Sequence, residues 1–134
     1  PLKSLMQNGP AKQLLESFGA RDFTEPDDLI EVADFESFEI AGLSVESMAA
    51  PGHTKGSMIF TVNNEQLISG DVLFAGSIGR TDLPTGSASE MRKTLKERIL
   101  TLEDHLNVLP GHGQQTTIAN ERRNNPYLQG EFLD

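Results

Sequence analysis

Pro51-Gly52-His53-Thr54-Lys55-Gly56-Ser57 and Leu109-Pro110-Gly111-His112-Gly113 share the tripeptide Pro-Gly-His, and Ser69-Gly70-Asp71 stands between them. With 7 Pro, 12 Gly and 3 His in the chain, about 0.01 such tripeptides are expected by chance. Each of the three motifs follows a short apolar run, so a side chain able to bind a metal is presented where a strand ends. Proline stops a ladder by removing a donor, and glycine lets the backbone turn and leaves room beside an ion. A lone Gly-His is most often a turn histidine, and a lone Gly-Asp a turn aspartate. Two imidazoles and a carboxylate on three strand ends instead predict a metal site formed by His53, Asp71 and His112, with zinc first among the candidates.

Working outward, Phe38 to Ile40, the turn Ala41-Gly42 and Leu43 to Met48 read as a hairpin. Ser57 to Val62 reads as a strand in which Met58, Phe60 and Val62 alternate, with Asn63-Asn64 turning the chain back through Gln66 to Ser69. Residues 72–86 read as a long loop, the kind that is usually functional or disordered. Ser87 and Glu90 predict a capping box ahead of a helix whose stripe is Met91, Leu95, Ile99 and Leu102. Asn107 to Leu109 is a brief strand, and Thr117 to about Asn124 a final helix stopped by Pro126. Upstream, Pro10 to Gly19 predicts a short helix, and Arg21 to Asp34 an acidic loop with at most one edge strand. His105 is expected at the end of the long helix, solvated and favoured by its dipole. Arg122 and Arg123 are expected on a solvated helix face. Strands, hairpins and flanking helices together indicate a layered α/β domain.

The 134 residues suffice for one domain or part of one. A net charge of −9 argues against nucleic acid as a partner, because that binding rests on Lys and Arg. The chain has no cysteine, hence no disulfide framework and no thiolate ligand, which fits a cytoplasmic location. No apolar run approaches the ~20 residues that cross a bilayer, so no membrane association is expected. A start at Pro1 rather than methionine suggests a piece of a longer polypeptide.

The motif from Pro51 to Ser57, Ser69-Gly70-Asp71 and Leu109 to Gly113 resemble the later motifs of the metallo-β-lactamase fold. Within it they are most similar to small glyoxalase II-like hydrolases. The loop Gly76-Ser77-Ile78-Gly79-Arg80-Thr81-Asp82-Leu83-Pro84 and the ending Glu121-Arg122-Arg123-Asn124-Asn125-Pro126-Tyr127-Leu128 belong to the same match, which runs from about Leu43 to Leu128. The resemblance implies an αββα sandwich built from two similar halves. It also implies that His53 binds one metal, His112 another, and Asp71 bridges both. The family's first signature, His-x-His-x-Asp-His, is absent from these residues. The expectation is therefore that residues 1–134 are the C-terminal part of a single metallo-β-lactamase-fold domain, with the signature upstream of Pro1.

For the intact protein the resemblance implies two zinc ions, with iron or manganese as alternatives, and hydrolysis of a small thiol's thioester by metal-bound hydroxide. Asp71 would act as the catalytic carboxylate and Thr54 would support the imidazole of His53, unless it merely caps its own turn. Arg80 would steer an anionic substrate tail, unless it forms a surface pair with Asp82. This chain alone is expected to be inactive. Two alternatives stand beside it. One is a persulfide dioxygenase of the same fold using a single iron. The other is a non-catalytic fragment or assembly module, with a homodimer formed through an uncovered sheet face.

Overall fold

The computed structural model describes residues 13, 16, 17, 19 and 27–134. Residues 1–31 and 32–134 form separate compact units, and among the described residues all the strands lie in the second. Most of the helix expected over 10–19 lies outside the described residues. Of those described, Gln13, Glu16 and Ser17 are helical, and the Gly19 amide closes a turn on the Glu16 carbonyl.

The strands in chain order are β1 (Ser37–Ile40), β2 (Leu43–Ala49), β3 (Met58–Val62) and β4 (Gln66–Gly70). They continue with β5 (Leu73–Phe74), β6 (Ser77–Ile78), β7 (Asn107–Pro110) and β8 (Thr116–Thr117). Among the described residues, one sheet takes six of them in the order β1-β2-β3-β4-β7-β8. The first two hairpin turns are as expected, with positive φ at Ala41, Gly42, Asn63 and Asn64. Asn63 also accepts the Ser44 amide on its side-chain oxygen, 2.9 Å away. Pairing is antiparallel except between β4 and β7, which run parallel. Inside the expected loop, β5 and β6 form a small separate hairpin. No strand forms in residues 27–36.

Register fixes what each face does, because neighbours along a strand point oppositely. Met48 pairs with Ile59, and both are buried in a cluster with Leu67 and Val108. The helix α1 (Ala88–Thr94) and its wider continuation, a π-helix over Leu95–Ile99, cover this face with Met91, Leu95 and Ile99, all fully buried. The apolar stripe is thus core, as its spacing predicts; Leu102 packs at the margin. On β3 it is Ile59, between the alternating Met58, Phe60 and Val62, that reaches this core. The other three lie on the opposite face, where Ile40, Leu43 and Ile68 remain exposed.

The helix start differs from a full capping box. Ser87 accepts the Glu90 amide at 3.2 Å, but the Ser87 amide donates to the Gly52 carbonyl at 2.8 Å rather than to Glu90. At the other end the chain leaves the helix near Leu100, and Arg122 of α2 (Ile118–Asn124) closes it. Its guanidinium donates to the Leu100 and Leu102 carbonyls at 2.9 and 2.8 Å and to Asp104 at 2.8 Å. The expected solvated arginine is therefore a C-terminal clamp, placed where a cation meets unpaired carbonyls. Arg122→Ala is expected to cost about 2 kcal/mol, lowering the thermal midpoint by several degrees in a circular-dichroism melt. His105 lies beyond the helix rather than at its end, with Nε2 on the Asn64 carbonyl at 2.7 Å. No described helix is long and apolar enough to cross a membrane.

Candidate metal centre

Strands β2, β4 and β7 all run in one direction, because β2 and β4 are each antiparallel to β3 and β4 is parallel to β7. Their C-terminal ends therefore meet one edge of the sheet, and His53, Asp71 and His112 follow those ends. The three strands are not all neighbours, since β3 intervenes between β2 and β4. The turn after β2 spans that gap and is held against α1. Thr94 Oγ1 donates to the Pro51 carbonyl at 2.7 Å, and Gly52 has φ 146°, with a would-be Cβ only 2.6 Å from Met91 Cα. Only glycine fits there.

The two other turns are tied together directly, with the Gly111 amide donating to the Gly70 carbonyl at 2.8 Å. Both Gly111 and Gly79 pack against Asp71 with no room for a side chain. A Cβ at Gly111 would lie 2.5 Å from Asp71 Oδ1, and one at Gly79 1.8 Å from the Asp71 carbonyl oxygen.

The structure brings the three predicted side chains together around this carboxylate. His112 Nδ1 lies 2.9 Å from Asp71 Oδ1, and His53 Nε2 lies 3.5 Å from Asp71 Oδ2. Exposure is graded: the side chains of His53, Asp71 and His112 are 17%, 33% and 77% accessible. The edge of the Phe74 ring meets the His112 ring at 6.0 Å between centroids and 75° between planes.

His53 Nδ1 is 2.9 Å from the Arg80 carbonyl oxygen, which can only accept. Nδ1 therefore carries the proton, and in the neutral ring Nε2 presents a bare lone pair to Asp71 Oδ2. Two acceptors facing each other across 3.5 Å are electrostatically unfavourable unless a positive charge, metal ion or proton, lies with them. A backbone carbonyl that sets the tautomer of an imidazole is the usual support of a histidine that binds metal. The donor set of two imidazoles and one carboxylate suits zinc, iron or manganese. It offers one histidine on each side of the carboxylate. Among the described residues, no three His, Asp or Glu side chains close around a single ion. The three residues therefore fit part of a metal site rather than a complete one.

The weaker expectations fall elsewhere. Thr54 serves its own turn: its hydroxyl pairs with Ser57 Oγ at 2.8 Å, and its carbonyl accepts the Gly52 and Ser57 amides. The group that orients His53 is the Arg80 carbonyl, which no side-chain motif announces. The Arg80 guanidinium is engaged in a two-pronged pair with Asp82, 2.7 Å on each arm. The hydrogen bonds from Arg80 hold the Asp82 carboxyl down at about 2. The surface-pair alternative thus describes this side chain.

Two polar residues of the C-terminal ending, assigned no role by the motifs, are tied to the β5–β6 hairpin. Glu121 and Asn125 are fully buried. The Glu121 carboxylate accepts from Thr116 Oγ1 (2.6 Å) and Asn120 Nδ2 (3.0 Å) on one oxygen. On the other it accepts from the Gly76 amide (2.8 Å) and Asn125 Nδ2 (2.9 Å). Burial alone would raise its pKa, but the bonds from Thr116, Gly76, Asn125 and Asn120 outweigh it and hold the group below the ordinary glutamate value.

A model of the metallo-β-lactamase superfamily matches residues 3–112. This chain belongs to that superfamily. The chain is 43% identical over 115 residues to an uncharacterised protein of Mycobacterium tuberculosis, covering 81% of this chain and 51% of that protein. It is 37% identical over 97 residues to the hydroxyacylglutathione hydrolase GloC of Haemophilus influenzae, covering 72% of this chain and 46% of GloC. The chain thus spans about half the length of the curated relatives it matches. Among solved structures it matches TTHA1623 in a di-iron-bound form with TM-score 0.72 and 33% identity, over 88% of this chain and 58% of that one. It also matches ETHE1 from Myxococcus xanthus with TM-score 0.71 and 28% identity, over 90% and 56%. The expected fold is therefore the observed one.

Proposed function

We propose that the protein containing these residues is a metal-dependent hydrolase acting on thioesters of a small thiol. The observation that carries this reading is the single carboxylate of Asp71 with one imidazole at each of its oxygens. The likeness to a hydroxyacylglutathione hydrolase supports the substrate class. His53 and Asp71 would hold one ion, His112 and Asp71 the other. In this reading the further donors come from the His-x-His-x-Asp-His signature that these residues lack. When bound, divalent cations supply an ionised water at neutral pH and polarise a carbonyl oxygen.

The chain's own contribution is orientation. Arg80 lends its carbonyl to fix the His53 tautomer, so Nε2 is directed at the carboxylate and does not swing. Glycine at 79 and 111 leaves the space that Asp71 occupies, and its two oxygens each face one imidazole. His112 is the most exposed of the three and the one most open to a substrate.

The likeness to ETHE1 keeps an iron-dependent persulfide dioxygenase as a second reading. One experiment separates them. The complete protein, loaded with zinc or iron, is expected to hold about two ions per chain and to release free thiol from a hydroxyacyl-glutathione thioester without consuming oxygen. One iron per chain, with oxygen uptake on a persulfide and no thioester cleavage, would overturn the hydrolase reading. Neither metal binding nor turnover of either substrate would overturn both.

A further inference from the structure

The buried carboxylate of Glu121 is unusual for a group whose task is only to hold a fold together. All four of its donors are neutral, and an ionised carboxylate in the interior is costly unless every acceptor site is met. Only a group that accepts on both oxygens satisfies four donors at once, whereas a glutamine would set an NH2 against one pair of them.

What those donors belong to is informative. One pair, Thr116 and Asn120, lies on β8 and α2, the carboxylate's own neighbourhood. The other pair leads to the β5–β6 hairpin. Gly76 is its turn, and Asn125 Nδ2, besides meeting Glu121, donates to the Ser77 carbonyl at 3.0 Å and the Phe74 carbonyl at 3.4 Å. That hairpin is enclosed by the candidate site. Asp71 lies just before it, Gly79 and Arg80 lie just after it, and its Phe74 ring abuts His112.

We propose that Glu121 is a positioning residue for the metal centre: through Gly76 and Asn125 it fixes the 73–78 hairpin. The hairpin in turn sets the Phe74 edge against which His112 is placed and the Arg80 carbonyl that orients His53. This inference rests on the reading of His53, Asp71 and His112 as metal-binding residues.

The test compares variants that cut different halves of the network in the 134-residue chain. Asn125→Ala removes a hairpin donor, and Glu121→Gln sets an NH2 against one of the two pairs. Thr116→Val removes a donor from the other oxygen and leaves both hairpin bonds in place. Histidine-ring resonances are recorded by NMR on the zinc-free chain, and zinc chloride alone is then titrated calorimetrically. Glu121→Gln and Asn125→Ala are expected to shift or broaden the His53 and His112 ring signals and to weaken zinc binding about 10–100-fold. Thr116→Val is expected to lower the melting temperature yet keep wild-type ring signals and zinc affinity. Unchanged ring signals in both hairpin variants, or equal shifts in Thr116→Val, would overturn the proposal. If Glu121→Gln does not fold, Asn125→Ala against Thr116→Val decides the matter. If the wild-type chain, which lacks the signature's donors, binds no zinc, the ring signals alone decide whether Glu121 sets the imidazoles.

Discussion

Gly111→Ala is expected to weaken zinc binding by about 100-fold or more while lowering the melting temperature by only a few degrees. The backbone at Gly111 is not in the left-handed region, so alanine meets no conformational obstacle there. Its methyl group, however, would arrive 2.5 Å from Asp71 Oδ1, closer than any real contact. The nearest atom is the tip of a side chain, which can rotate aside for about 0.5–1.5 kcal/mol. The Gly70 carbonyl oxygen and carbon, at 3.2 and 3.3 Å, need give only slightly. Rotation removes Oδ1 from His112 Nδ1 and turns Oδ2 away from His53 Nε2, so both imidazoles lose the carboxylate together. The lesion thus falls on the site and spares the fold. Gly56→Ala is the control, because a Cβ there meets nothing within 4 Å. Calorimetric titration with zinc and a thermal melt of both variants check the pair. Wild-type affinity in Gly111→Ala would mean that Asp71 does not bind the metal.

The parts of this architecture that local chemistry dictates could be read from the chain. Asn63-Asn64 and Ala41-Gly42 announce tight turns because the residues that tolerate positive φ are few. The 91/95/99 stripe announces a buried helix face because its period matches the helix. The convergence of His53, Asp71 and His112 was legible for a related reason, since Pro-Gly followed by an imidazole both ends a strand and exposes the ring. Long-range partners left no such trace. That a backbone carbonyl at residue 80 holds the ring of His53 depends on how a loop crosses the sheet edge, and a carbonyl has no letter of its own. Arg122 looked like a solvated charge because its spacing on α2 is that of a surface face. What captures it is the row of unpaired carbonyls at the end of another helix. Glu121 and Asn125 were visible as letters in a familiar ending, but their role follows from burial, which periodicity over seven helical residues does not resolve.

Gly79→Ala is expected to act in the opposite way to Gly111→Ala, destabilising the fold by about 3 kcal/mol or more, with the loss of zinc binding following from unfolding. Its Cβ would lie 1.8 Å from the Asp71 carbonyl oxygen and 3.0 Å from the carbonyl carbon, with His53 Cβ at 3.2 Å behind. These first atoms are backbone, and no rotamer moves them. Relief requires the strand end after β4 and the start of the residue-80 loop to separate, breaking the hydrogen bond that the Gly79 N–H donates to the Val72 carbonyl at 3.2 Å. A domain of this size is stable by only about 5–15 kcal/mol, so such a loss consumes a large share of it. Chemical denaturation should therefore show a midpoint moved far to lower urea with an unchanged slope. A hundredfold excess of zinc over its dissociation constant returns about 2.7 kcal/mol to a chain that can still bind it. Gly79→Ala should gain far less, because Asp71 and His53 flank the very atoms that have been forced apart. A variant that melts like the wild type, or recovers fully with zinc, would show that residue 79 does not pack against the Asp71 backbone.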